Sequence, residues 1–263
     1  MSVKLSIIIP YFNERKYLPQ TLESLGQQDC RDFCLILVDN ASSDGSVDIA
    51  RAVMARYPDI AVYYLHNPVP GQLPTLEQGL AAAQSPYVAS CDADTIYPSH
   101  YVRQCISLFE NGGGHSPAVV GVMAVDLYAP LESEKSQSRI RKIMRKSRWF
   151  GSQCHAGGYA HCYRTDVVRR VGGFESRDWP YLLYDHEVYE RVRDHGVIRY
   201  HPNHYCFPSD RRGDRSAVSW TWGERMVYRF TPAFGKKWFF YQFLAKRFAR
   251  RGLVQVKLRE RNF

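Results

Sequence analysis

Asp92-Ala93-Asp94 puts two carboxylates two positions apart in a chain of 263 residues. They follow an apolar run, 87–91, that reads as a strand. If strand geometry persisted, side chains two residues apart would point to the same face. Two acids held together repel one another, and a cation between them removes that cost. Mg²⁺ or Mn²⁺ suits such a place, being bound by one or two carboxylates together with substrate phosphates. The structural alternative is a helix cap or an Asx turn ahead of Pro98. Two more polar pairs, Asn13-Glu14 and Asp39-Asn40, also stand directly after apolar runs.

The elements that would position these residues alternate. Residues 5–9 (LSIII) and 34–38 (CLILV) are short continuous apolar runs, as expected of parallel strands buried on both faces. Residues 61–65 and 87–91 predict a third and a fourth strand. Between them, 15–27 places Tyr17, Leu18, Thr21, Leu22 and Leu25 at helical spacing. A second helix begins at Ser43-Asp44-Gly45-Ser46 and continues to Tyr57, before Pro58. Residues 73–83 predict a third. Strand–helix alternation of this kind implies an α/β, doubly wound sheet, whose ligands sit outside the carboxyl ends of its strands. All three polar groups fall at such ends. Further on, 118–125 reads as a strand and 185–195 as a helix. Residues 135–148 hold seven basic residues and no acidic one.

The composition is that of a globular protein, with 45% hydrophobic and 23% charged residues. Seven cysteines lie scattered without a CxxC pair, which predicts reduced thiols and a cytoplasmic setting. The first apolar run is too short for a signal peptide, and no stretch approaches the length of a spanning helix. The net charge of +9 is uneven: from Arg211 onward 14 Lys/Arg face 3 Asp/Glu, a local +11, which leaves −2 for residues 1–210. The basic tail, 236–251, interleaves Trp238, Phe239, Phe240, Phe243, Leu244 and Phe248 with Lys and Arg. It reads either as a peripheral contact with anionic membrane or as a helix packed over the domain. Nucleic acid is a poor fit, because no readout module accompanies the charge. A dinucleotide oxidoreductase is excluded by the first strand–helix turn, PYFNER, which has no GxGxxG cradle.

SIIIPYFNE (6–14), LILVDNASSDGS (35–46), PYVASCDADT (86–95), GGF (172–174) and LYDHEVYERVRDHG (183–196) occur in that order. The ordered set resembles the inverting family 2 glycosyltransferases over roughly residues 4–212. It is similar to the branch common among bacterial surface-polysaccharide and lipopolysaccharide enzymes. The resemblance implies a GT-A fold, a mixed sheet flanked by helices. The implied division is a catalytic domain, 1–212, with a nucleotide-binding half (1–112) and an acceptor half (113–212), followed by a basic helical extension (213–263).

By position, the resemblance gives Pro10, Tyr11, Asn13 and Glu14 a place around the nucleotide base and ribose of a nucleotide-diphosphate-sugar donor. Asp39 and Asp44 would shape that pocket. Asn40 stands where many members have a second acid, and Gln72 where many have Arg or Lys. Asp92, with Ala93, would face the ribose or a metal-bound water, and Asp94 would ligate Mg²⁺ or Mn²⁺ bridging the diphosphate, with His204 standing where some relatives use a His to complete the shell. The base that takes the acceptor proton belongs at the start of a late helix, which points to Asp185, with Glu187 as the alternative. Ser209, Arg211 and Arg212 match a phosphate-binding segment. Gly157 and Gly158 would let backbone approach the sugar. The implied reaction is metal-dependent transfer, UDP-sugar favoured, to a hydroxyl of a glycan or lipid-linked acceptor. The QxxRW signature of processive synthases is missing, which points to single-sugar addition. A nucleotide-sugar-binding protein without transfer activity is the alternative.

Overall fold

The computed structural model describes residues 3–111, 118–174, 179–209 and 220–254. The apolar runs become strands because they offer water no polar edge. In β1 (Leu5–Tyr11) all residues but half-buried Pro10 are buried, and β2 (Phe33–Asp39) is buried throughout. β3 (Ala61–His66) lies outside them and is half-exposed. The connecting helices are α1 (Leu18–Gly26), α2 (Ser46–Met54) and α3 (Gln72–Ala82). α3 lies tight against β1 at Gly79, where any Cβ would come within 2.4 Å of the Ile8 side chain. β4 (Tyr87–Ser90) then returns on the other side of β1, parallel to it. The order β3-β2-β1-β4 therefore reverses direction between β1 and β4, the kind of crevice where open α/β sheets bind ligands.

The second half extends this sheet with mixed pairing. It comprises β5 (Thr95–Ile96), α4 (Tyr101–Glu110), β6 (Val119–Asp126), α5 (Glu134–Trp149), β7 (His161–Arg164), α6 (Thr165–Arg170), α7 (Tyr184–Arg193), β8 (Val197–Pro208) and α8 (Trp222–Phe230). The complete order is β3-β2-β1-β4-β7-β6-β8-β5. β7 runs antiparallel to both β4 and β6, β8 is parallel to β6, and β5 is antiparallel to β8. The mixed α/β sheet is the one the motifs implied. One expectation fails in detail: β4 stops at Ser90, so Asp92 and Asp94 stand in a turn. Their relation follows from that turn and not from strand alternation.

The chain ends, within the described residues, in a helix of three segments: an α-helical start (Lys236–Trp238), a π-helical stretch (Phe239–Leu244) and an α-helical end (Ala245–Arg251). Phe239, Phe240, Leu244 and Phe248 are all buried, in the same hydrophobic cluster that contains Leu5 and Ile36. Trp179 meets Phe240 edge to face at 5.3 Å and Phe248 at 5.8 Å. These buried side chains follow the packed-helix alternative, while Trp238 on the same segment is 53% exposed. Each buried ring stabilises the fold by about 1.5–3 kcal/mol through burial. One core thus serves both the expected catalytic domain and its extension. The seven cysteines are free thiols, and all but Cys30 are buried. Among the described residues no helix is long and apolar enough to cross a membrane.

Candidate active site

The carboxyl ends of β1 and β2 are stitched together by the polar residues that follow them. Tyr11 lies beside Asp39 in register, and the Asn40 N–H donates to the Tyr11 carbonyl. Burial raises the Tyr11 phenol well above its ordinary pKa, and the neighbouring Asp39 adds to the effect. Pro10 sits one residue earlier, opposite Val38. Asn13 adopts φ 53°, accepts from the Ser43 N–H at 2.9 Å and donates its own N–H to Ser42 Oγ at 3.0 Å. The Glu14 N–H donates to Ser46 Oγ. Asp44 accepts from the Arg15 and Ser46 N–H groups, so it ties the β1 loop to the start of α2. These contacts, with the Asp44 hydrogen bond to Ser46 Oγ, hold its carboxyl below the usual range against the opposing effect of burial. Asp39 accepts from the Ser42 N–H and lies 2.9 Å from His66 Nδ1.

Asn40, next in the chain, has its side chain held by the loop before α3. Its amide donates to the Asn67 and Val69 carbonyls and its oxygen accepts from the Gly71 N–H. The side chain is thereby committed to holding the loop that leads into α3. That loop in turn delivers Gln72, whose amide donates to Asp92 Oδ1 at 3.2 Å. The first three polar clusters are therefore one connected surface from Tyr11 to Asp92.

Gly158 joins this surface to the second half of the molecule. Ser90 Oγ donates to its carbonyl, and its N–H donates to Asp185 Oδ2 at 3.0 Å. A Cβ at this position would fall 2.9 Å from the Tyr184 hydroxyl and 3.3 Å from Asp185 Cβ, so glycine permits the approach. Tyr97 adds a parallel link: its hydroxyl accepts from the Asp92 N–H and donates to the Tyr159 carbonyl. Ala93 is held through its carbonyl by Thr21 Oγ1, and Asp94 through its carbonyl by the Ser209 N–H at 3.0 Å. Asp92 and Asp94 are each 7% exposed. Asp185 is half-buried at the first turn of α7, and its second oxygen accepts from the His186 N–H. Gly157 packs its backbone against the Tyr159 ring.

Two candidates are placed elsewhere. Glu187, 1% exposed, pairs with Arg191 through both carboxylate oxygens, at 2.8 and 2.9 Å, and accepts from the Tyr241 hydroxyl. It fastens α7 to the C-terminal helix, and that bidentate pair leaves it poorly suited to take a proton from an acceptor. His204 is fully buried and stacks on Tyr101 with ring centroids 4.7 Å apart. Neither of its ring nitrogens has a hydrogen-bond partner among the described residues. Burial, with the nearby His100 and His201, pulls its pKa down to about 3. No cluster of three or more His, Cys, Asp or Glu suited to a metal occurs among the described residues, so His204 does not join Asp92 and Asp94 in such a set. Arg211 and Arg212 lie outside the described residues.

The turn carries two hard carboxylates, Asp92 and Asp94, and the His204 ring is packed away on Tyr101. That chemistry fits Mg²⁺ or Mn²⁺ when a diphosphate and water complete the shell. Sequence reasoning missed Tyr97, Tyr159 and Asp126, the last accepting from Tyr159 at 3.2 Å and paired with Arg139. Tyr97 was legible only as an aromatic near the turn. Backbone geometry marks the same region independently. The non-glycine residues with positive φ among those described are Asn13, Ala41 and Leu183, each a candidate site residue or within two positions of one. Such conformations are costly and gather where a fold holds functional groups in place.

Residues 6–172 match the model of the family described as glycosyl transferase family 2. The chain spans about a quarter to a half of the length of the curated relatives it matches, 36%, 28%, 23% and 51% in four of them. One is an undecaprenyl-phosphate 4-deoxy-4-formamido-L-arabinose transferase from Serratia proteamaculans, 27% identical over 171 residues, 64% of this chain and 51% of that protein. Among solved structures, the mannosyltransferase PcManGT from Pyrobaculum calidifontis, in complex with GDP-Man and Mn²⁺, has a TM-score of 0.66 at 19% identity, covering 90% of this chain and 64% of that one. S. aureus TarS 1–349 in complex with UDP-GlcNAc has a TM-score of 0.60 at 15% identity, covering 94% of this chain and 73% of that one. At these identities the likeness establishes the fold, which is the GT-A arrangement.

Proposed function

The chain belongs to glycosyl transferase family 2, and from that premise we propose that it transfers a sugar from a nucleotide-diphosphate donor to a hydroxyl of a glycan or lipid-linked acceptor. The observation that carries the reading is Gly158, which receives Ser90 on its carbonyl and gives its N–H to Asp185. It links the end of β4, two residues before Asp92, to Asp185 on α7, which supports a site shared by these carboxylates. UDP-sugar is the donor placed first, supported by the neighbour that holds UDP-GlcNAc; the neighbour with GDP-Man makes GDP-sugar the alternative. The undecaprenyl-phosphate transferase among the relatives supports a lipid-linked acceptor.

In this reading the nucleoside lies across the ends of β1 and β2, against Tyr11, Asn13 and Asp39. Glu14 and Asp44 hold the loops that frame it. Gln72 orients Asp92 toward the ribose, and Asp94 faces the diphosphate. Mg²⁺ or Mn²⁺, held by Asp94 with Asp92 alongside, would neutralise charge growing on the leaving diphosphate. Asp185 accepts the acceptor's proton as that oxygen attacks the anomeric carbon. The bond from the anomeric carbon to the diphosphate oxygen breaks, and its electron pair leaves with the nucleotide. One displacement without an enzyme nucleophile inverts the anomeric centre, and one sugar is added per encounter. The Gly158 N–H holds one Asp185 oxygen in a fixed direction, which favours a productive approach over free rotation.

A thermal-shift screen of UDP-, GDP- and dTDP-sugars, with and without Mn²⁺, tests the donor side. Ligand at about 100 times its dissociation constant stabilises the folded state by about 2.7 kcal/mol. At least one donor should raise the melting temperature only when Mn²⁺ is present, and Asp94→Ala should remove that rise. A melting point unmoved by every donor would contradict the proposal.

A further inference from the structure

α8 carries an apolar stripe that faces outward. Trp222 and Phe230 are 77% and 73% exposed. Met226 lies between them at four-residue spacing, so the three share one face of the helix. Arg225 and Arg229 flank the stripe and are exposed. The buried face holds Tyr228 and Glu224, and Glu224 is the one carboxylate of α8. It turns inward, paired with Arg247 at 3.0 Å and Arg251 at 2.7 Å, so α8 shows only positive charge to solvent.

The end of α5 adjoins this face. The Arg229 guanidinium sits over the Phe150 ring at 5.7 Å, and the Gln153 amide donates to the Arg229 carbonyl at 3.0 Å. Trp149 and Phe150 are exposed there, beneath a helix whose Arg141, Lys142, Arg145 and Arg148 also face solvent. Burial, followed by the charges of Lys142, Arg139 and Arg229, pulls the Lys146 ammonium below its ordinary pKa.

We propose that the outer face of α8, with the end of α5, docks on a bilayer of anionic phospholipid. The rings of Trp222, Phe230, Trp149 and Phe150 enter the interface while the arginines meet phosphate groups. Charge decides the sign of the partner, and the apolar stripe decides its kind. A nucleic acid would satisfy the arginines but offers no apolar phase to the helix face. The surface is distinct from 236–251, where Phe239, Phe240 and Phe248 are buried. It also stands independently of the transfer reaction, because vesicle binding needs neither donor nor acceptor.

The test is flotation of the full chain with vesicles of phosphatidylcholine, alone or with about one-third phosphatidylglycerol, in about 0.1 M salt. The chain should float with the anionic vesicles and remain behind with the neutral ones. Trp222→Ser combined with Phe230→Ser should lower partitioning by at least about tenfold without moving the melting temperature, since both side chains are exposed. Arg225→Glu with Arg229→Glu should lower it as well. Equal flotation of the Trp222/Phe230 variant, or none by the native chain, would overturn the proposal. Self-association that this variant abolishes, without vesicle binding, would also overturn it and assign the face to a second copy. Failure of the donor screen with vesicle binding intact would sink the transfer reading alone.

Discussion

At His204 the surroundings of one ring decide its chemistry. A histidine near the end of a late strand has the right composition for a metal ligand, yet this ring is stacked on Tyr101 and sealed from solvent. Its folded pKa, about 3, lies below its ordinary value of 6.5. The folded state therefore keeps it neutral while the unfolded chain takes up a proton, so stability is lost as pH falls below about 6.5. His204→Phe should flatten that acid-side loss, read as melting temperature against pH, because a ring without nitrogens fills the same stack. The same variant should keep any Mn²⁺-dependent donor shift. Loss of that shift would return His204 to the metal. At Glu187 the lesson is similar: a carboxylate beside the candidate base is held by Arg191 and Tyr241 and serves the packing of α7.

Among the elements, the turn between β4 and β5 and the start of α7 depend on one another through Gly158. Gly158→Ala would drive a methyl group into Tyr184 and Asp185. A shift of about 1 Å at a catalytic group can lower turnover about 10²-fold. Turnover should fall by that order while the donor-induced thermal shift remains, and unchanged turnover would remove Gly158 from the account. The first half of this arrangement was legible in the sequence, since β1, β2 and β4 are short apolar runs with polar residues directly after them. β8 was not. Its sequence, VIRYHPNHYCFP, mixes charge, histidine and proline, and the strand is half-buried over much of its length, so no period stands out. β5 has only two residues and gains its identity from pairing with β8. The carboxylates of the site could be read from spacing and resemblance. Among the partners that hold them, Tyr97 is only five residues from Asp92, whereas Tyr159 and Gly158, just ahead of β7, are brought near by its pairing with β4, which local sequence does not encode.

On the scale of the molecule, the C-terminal helix completes the core. Phe239, Phe240 and Phe248 close over the region around Trp179, and Tyr241 reaches Glu187 on α7. Residues far apart in the chain thus support the helix that presents Asp185, while α8 and the end of α5 offer a separate outer face. The basic surplus of the sequence divides accordingly: part of it pairs with buried Glu224, and part remains at the surface. What unites these parts is the claim that Asp185 removes a proton from the acceptor beside a donor bound after β4. Single-turnover transfer by Asp185→Asn, with donor binding followed in the same samples, tests this most directly. The account predicts unchanged donor affinity and a rate reduced by about 10²–10⁴-fold, the usual contribution of a general base. Transfer at the native rate would contradict it.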